Sequence, residues 1–238
     1  MSTEVNPLHR PDWFNRDLFF TAVMQSISFA TPLIEVFTIR AIVDSQSIVP
    51  GMPYPEDIRI FIADEASHAR AHVALNQELL LKYASPPQGY QGFKKRMQFL
   101  NHALSGAQRV RIAADMERWT ALWSAWYLSQ HDQLSIASIS AKKLYAWHAQ
   151  AEVSHAHVLI ALAAQEPLPS AWRHWLFLSA YRLSILIYFS RSVTWFVYYD
   201  NQKSILKSAR CLLKTAYKVT RSMETYRLLI SCLRTSEH

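Results

Sequence analysis

The sequence predicts an all-α fold, a bundle of long helices, and three observations carry that reading. Half of the 238 residues are apolar and only four are glycine, Gly51, Gly89, Gly92 and Gly106, each in or beside an expected turn. Long stretches hold neither proline nor glycine: one runs from Glu56 to Ala84, and after Pro169 nothing forces a break before His238. Glutamate and histidine also recur at a helical spacing. Glu65, His68 and His72 share one face of a helix, and His148, Glu152 and His155 share one face of another.

A chain of this length fits one large all-helical domain with a substantial core. Residues 1–13 read as an irregular arm, and Phe14 to Ala30 reads as an N-terminal helix ahead of the bundle. Thr31-Pro32 looks like an N-cap with proline at the first helical position, which starts the first bundle helix and runs it to about Asp44. Glu35 then sits in the first turn among Leu33, Ile34, Val36, Phe37 and Ile39, a largely buried setting. Residues 45–55, with Pro50, Gly51, Pro53 and Pro55, must be loop.

The second bundle helix starts at Glu56-Asp57, two acids suited to the positive end of the helix dipole, and ends at Pro86-Pro87. The third runs from about Phe93 to Ser129 with a break near Ser105-Gly106, and it delivers Glu117. Trp119, Trp123 and Trp126 on this helix, with Trp147, are expected core aromatics. The fourth spans about Ile136 to Ala164 and is closed by Pro167 and Pro169, and two more helices follow at about 171–199 and 203–234. The expected organisation is an N-terminal arm and helix at 1–30, a four-helix core at 31–165, and a C-terminal helical pair at 170–235.

Along the four core helices the order is Glu35, Glu65-x-x-His68, Glu117, Glu152-x-x-His155. This is the ligand order of ferritin-like carboxylate bundles, in which two helices each give a glutamate and two give Glu-x-x-His around a dinuclear metal site. Four carboxylates buried among apolar residues need neutralising, because an unpaired buried charge costs several kcal/mol or more, and two divalent cations balance them. Hard carboxylates mixed with imidazoles favour iron, with manganese next and zinc third, since no thiolate is near. His148 is read as an extra ligand to one metal, the alternative being a hydrogen-bonding supporter or a core histidine. His72 is read as a supporter of a ligand, or as a ligand itself. Asp64 is placed to accept the free ring N–H of a ligand histidine on another helix. Asp115 is expected to face solvent, and His157 to point away from the ligand face.

The stretches Pro32-x-x-Glu35, Phe61-Ile62-Ala63-Asp64-Glu65-x-x-His68-x-x-x-His72-x-x-x-Asn76, Glu117-x-x-Thr120-Ala121 and Trp147-His148-x-x-x-Glu152-x-x-His155 resemble the bacterial family of predicted metal-dependent hydrolases, over about residues 28 to 200. The spacing is also similar to that of the arylamine N-oxygenases of antibiotic biosynthesis, whose second motif carries an extra histidine four residues before its glutamate. That resemblance implies seven ligands and catalytic residues: Glu35, Glu65, His68, Glu117, His148, Glu152 and His155. The chain departs from those enzymes in carrying Ala151 where they have an acid, and in being shorter.

The leading functional expectation is a di-iron oxygenase that uses O2 and an external electron donor to oxidise a small organic substrate in biosynthesis, an amine or carrier-tethered molecule among the candidates. The alternative is a metal-dependent hydrolase using a metal-bridged hydroxide. An iron store or sensor is a third reading.

Cys211 and Cys232 are too few to suggest a disulfide framework, and the N-terminus has no apolar signal segment, so a cytoplasmic protein is expected. Arg182 and Arg191 interrupt the apolar stretch Trp175–Tyr199, which argues against a transmembrane span of about 20 residues. From Lys203 onward there are eight basic residues and two acidic ones, most of the net charge of +7. Lys203, Lys207, Arg210, Lys214, Lys218 and Arg221 form one cationic stripe, while Ile205, Leu206, Ala209, Leu212, Leu213, Ala216 and Val219 are placed to pack on the bundle. The stripe is either a solvated face or a docking surface for an acidic carrier protein, a reductase or an anionic membrane. Nucleic acid is not expected, since no aromatic platform or groove motif accompanies it. The chain could also pair as a homodimer.

Overall fold

A computed structural model describes residues 6–46, 56–166 and 170–221. They form seven helices, α1 (Leu18–Gln46), α2 (Glu56–Tyr83), α3 (Tyr90–Ala103), α4 (Gly106–Gln130), α5 (Ile139–Gln165), α6 (Ala171–Asp200) and α7 (Ile205–Arg221), after a short 3-10 turn at Pro7–His9. Most of the loop expected at 45–55, Pro167, Pro169, Cys232 and any helix beyond residue 221 lie outside the described residues.

Helix α1 packs on α2, α2 on α5, α5 on α4 and α4 on α1, which closes a four-helix bundle. Phe37, Ile42, Phe61, Leu79, Ile112 and Met116 are fully buried within it. Helix α6 lies against α1 and α3, and α7 against α6 and α1, so α1 has neighbours on most of its sides. That explains its composition. A helix surrounded by others is apolar nearly all round, and α1 is the one described helix long and apolar enough to cross a membrane, with just over half of that window buried in the bundle.

Local chemistry accounts for two of the helix starts. Ser105 and Gln108 form a capping box, with Gln108 N–H donating to Ser105 Oγ at 3.3 Å and Ser105 N–H to Gln108 Oε1 at 3.1 Å, so the long third helix is divided into α3 and α4. Gly89 precedes α3 at φ 95°, a left-handed conformation that a side chain would strain.

The N-terminal part differs from expectation in two ways. Residues 6–17 are docked on the bundle and do not form a free arm: Trp13 and Phe14 are buried, and Asn15 N–H and Ala137 N–H link this segment to the α4–α5 connection at 2.6 and 2.8 Å. The separate N-terminal helix and first bundle helix are one continuous helix, with Pro32 inside it. Proline lacks the N–H that would bond the carbonyl four residues back, and here Asn76 Nδ2 from α2 donates to that Ser28 carbonyl at 2.9 Å. A side chain from a neighbouring helix replaces the missing donor, and the helix passes through.

Helix α7 packs differently as well. Over residues 205–215, Ser208 and Thr215 are buried, with Cys211 and Leu212 half-buried, while Ile205, Leu206 and Leu213 are exposed and do not pack on the bundle. Of the cationic stripe, Lys203, Lys207, Arg210 and Lys214 are exposed.

Candidate metal centre

Each core helix brings one carboxylate inward: Glu35 from α1, Glu65 from α2, Glu117 from α4 and Glu152 from α5. The four are at most 4% exposed. Single oxygens of Glu35, Glu65 and Glu117 lie within 4.8 Å of one another, and so do ligand atoms of Glu35, His68, His148 and Glu152. Glu35 belongs to both groups, as a residue bridging two adjacent ions would. Helical spacing does the rest, because the three-residue step places His68 below Glu65 and His155 below Glu152 on inward faces.

The histidines cross between helices. His155 Nδ1–H donates to Glu65 Oε1 at 2.9 Å and its Nε2–H to Asp64 Oδ2 at 3.2 Å. His68 Nδ1 lies 3.6 Å from Glu65 Oε1 and 3.8 Å from Glu152 Oε1, beyond hydrogen-bond length. His148 Nε2 is 2.8 Å from Glu152 Oε1 and 3.5 Å from Glu35 Oε1. The structure does not bring His72 to the carboxylates: its Nδ1 meets Ser28 Oγ and its Nε2 meets His148 Nδ1, both at 3.0 Å. Its place is behind His148.

Electrostatics make the cost of this arrangement visible. Burial, and then the charge of Glu65, pushes the Glu35 carboxyl well above its ordinary range. Burial and the Glu152 charge do the same to Glu117. Burial also opposes ionisation of Glu65, yet the neighbouring Glu35, the hydrogen bond from His155 and the nearby His68 ring hold its carboxyl below the ordinary range. His155 is pulled down by burial but carried above its ordinary value by Glu65, Glu152 and Asp64. The cluster therefore holds positive charge in the form of shared protons wherever a cation does not supply it.

The residues fit a metal. Glu65 Oε2, Glu117 Oε2, Glu152 Oε2 and both ring nitrogens of His68 are buried with no hydrogen-bond partner. Orphaned buried polar atoms are rare, and five of them around one cluster of carboxylates offer lone pairs for cations. With three or more imidazoles and no thiolate, the donor set suits iron, manganese or zinc.

Several surrounding residues stand elsewhere than expected. Asp115 is buried, not solvated, and takes two bonds from Arg182, Nη2 to Oδ1 at 2.6 Å and Nε to Oδ2 at 3.3 Å, which ties α4 to α6. Trp123 and Trp147 are exposed and not core aromatics. Trp147 packs its edge on the His68 ring at 4.6 Å, and Phe61 lies 4.9 Å from His155, so both histidines are shielded. Trp119 and Trp126 are half-buried. His157 is exposed, away from the cluster. Ser28 and Asn76 carry hydrogen bonds to this site that single-helix spacing does not reveal.

No curated protein and no solved structure matches the chain. A family model does match, over residues 1–235, beyond the span of about 28 to 200 that the motifs cover. The chain belongs to the family of predicted metal-dependent hydrolases.

Proposed function

We propose that the chain is a metal-dependent hydrolase whose bundle holds two divalent cations, with Glu35, Glu65, His68, Glu117, His148, Glu152 and His155 as ligands. The observation that supports this best is the convergence of four buried glutamates, three of them with an orphaned oxygen, around the partnerless ring of His68. Membership of the hydrolase family supports the reaction class. Bound cations would supply Lewis acidity and lower the pKa of water, which is the chemistry hydrolysis needs. Iron and manganese suit the donor set best.

The chain's own residues prepare that chemistry. Glu35 and Glu117 release their protons as cations enter. Asp64 fixes the His155 ring by accepting its Nε2–H, which leaves Nδ1 toward Glu65 and the cluster. Trp147 packs against the fully buried ring of His68, and Phe61 covers one side of the His155 ring. The side chains of His148 and His155 keep 13% and 9% exposure, against 5% or less for Glu35, Glu65, His68 and Glu152, so substrate approaches past these two histidines.

A second reading is O2-dependent oxidation of a small organic substrate with electrons from an external donor, and the carboxylate-rich donor set favours it. One comparison separates the two. Protein loaded with Mn(II) under argon is assayed for ester, amide and phosphoester cleavage, and protein loaded with Fe(II) is assayed for reductant-coupled O2 uptake. Cleavage under argon supports hydrolysis, whereas O2 uptake without cleavage supports oxidation. The exposed Lys203, Lys207, Arg210 and Lys214 are a proposed docking face for an acidic partner, whose binding would weaken with salt.

A further inference from the structure

Behind His148 runs a chain of hydrogen bonds whose every direction is set by chemistry. It begins at Pro32, which leaves the Ser28 carbonyl without a helical donor. That carbonyl can only accept, so the Asn76 atom 2.9 Å away is the amide nitrogen, and the amide oxygen faces Ser28 Oγ at 2.7 Å. An amide oxygen also only accepts, so the single hydroxyl hydrogen of Ser28 points at Asn76. Ser28 Oγ therefore accepts at its contact of 3.0 Å with His72 Nδ1, and that nitrogen carries a hydrogen.

His72 is fully buried, and among the described residues its hydrogen-bond contacts are Ser28 and His148, with no carboxylate. A buried imidazole with no carboxylate partner is neutral. Its one hydrogen is on Nδ1, and Nε2 is bare. The contact of 3.0 Å from His72 Nε2 to His148 Nδ1 is then donated by His148. With Nδ1–H committed to His72, His148 directs Nε2 at Glu152 Oε1 and Glu35 Oε1, 2.8 and 3.5 Å away.

We propose that Asn76, Ser28 and His72 are positioning residues that lock His148 with its proton on Nδ1, so that Nε2 is the metal-binding atom beside Glu35 and Glu152. The proposal rests on the dinuclear centre proposed above. It gives the proline in α1 a role at the site: the carbonyl it orphans orients Asn76, and that orientation passes through Ser28 and His72 to the ligand. Hydrogen-bonded partners of metal-bound histidines act in this way, and removing one costs on the order of 10–100-fold in metal affinity. His155, with Nε2–H on Asp64, has the opposite polarity and faces the cluster through Nδ1.

Two measurements on the full chain test the relay separately from the centre. In histidine-15N-labelled protein treated with chelator, long-range 1H–15N spectra report which nitrogens carry protons. The expected result is His72 neutral with its proton on Nδ1 and His148 protonated on Nδ1, and a His72 proton on Nε2 overturns the relay whatever the metal content. The second is a titration with Zn(II) or Mn(II) alone. His72→Phe should weaken one of the two sites by about 10–100-fold and spare the other, while His72→Gln, whose side-chain oxygen accepts from His148, should recover most of the loss. Wild-type affinity at both sites in His72→Phe overturns the relay. A wild-type chain that binds no ion overturns the centre, and with it the role of the relay in metal binding.

Discussion

Among single residues, Asp64 and Glu117 separate support from ligation. Among the described residues the Asp64 carboxylate reaches the centre through His155, so Asp64→Ala should lower metal affinity by about 10–100-fold without removing a ligand. Asp64→Asn, which keeps an acceptor, should lose less, and metal titration of the two variants checks the order. Glu117→Ala removes a proposed ligand and should abolish tight binding of at least one ion. These residues were legible because glutamate and histidine at three- and four-residue steps cluster on a helix whatever surrounds it. Asp115 was not legible: its partner Arg182 is 67 residues later on another helix, and nothing local marks the pair. Ser28 escaped for the same reason, and Asn76 stood in the sequence motif without a role, since both roles exist only across the α1–α2 contact.

At the scale of the element, Pro32 shows where local rules stop. Threonine before proline signals a helix start, yet α1 continues because Asn76 supplies the missing donor. Asn76→Ala should therefore cost about 1–3 kcal/mol by leaving the Ser28 carbonyl unpaired. In a Pro32→Ala background the new backbone N–H can take that carbonyl, so the same Asn76→Ala change should cost measurably less. Additive losses in denaturant unfolding of the four variants would show that the two positions are not coupled. Helix breaks with local causes, such as Ser105 before α4, were readable; the packed face of α7 was not. Its buried Ser208 and Thr215 are polar and its exposed Leu206 and Leu213 apolar, the reverse of an ordinary amphipathic pattern. The Asp115–Arg182 pair makes a further element-scale prediction: Asp115→Ala should destabilise the fold by about 1–3 kcal/mol, since it leaves a partly buried guanidinium without its acceptor.

For the whole molecule, the centre couples stability to pH. A carboxyl whose pKa is higher folded than unfolded favours folding while protonated. The contribution of Glu35 and Glu117 is thus fully present below their ordinary value of 4.5 and is lost as pH rises through the folded values. His155, also raised, loses its contribution in the same direction as pH rises through its folded value. Glu65, held low, acts only in stronger acid. Chelator-treated protein should therefore melt at progressively lower temperature between about pH 5 and pH 8, and metal should abolish the decline, since the ions replace the protons. The bundle itself was legible because four helices in the order Glu, Glu-x-x-His, Glu, Glu-x-x-His must close on each other to satisfy their ligands. The central place of α1 was not, because its apolar character comes from being enclosed on several sides and reads equally as a membrane-crossing stretch. The most direct test of the dinuclear centre is the metal content per chain after anaerobic reconstitution and desalting, in wild type and in Glu117→Ala. The account predicts two ions in the wild type and fewer in the variant; a wild-type chain that retains a single ion or none, or a variant that retains two, would contradict it.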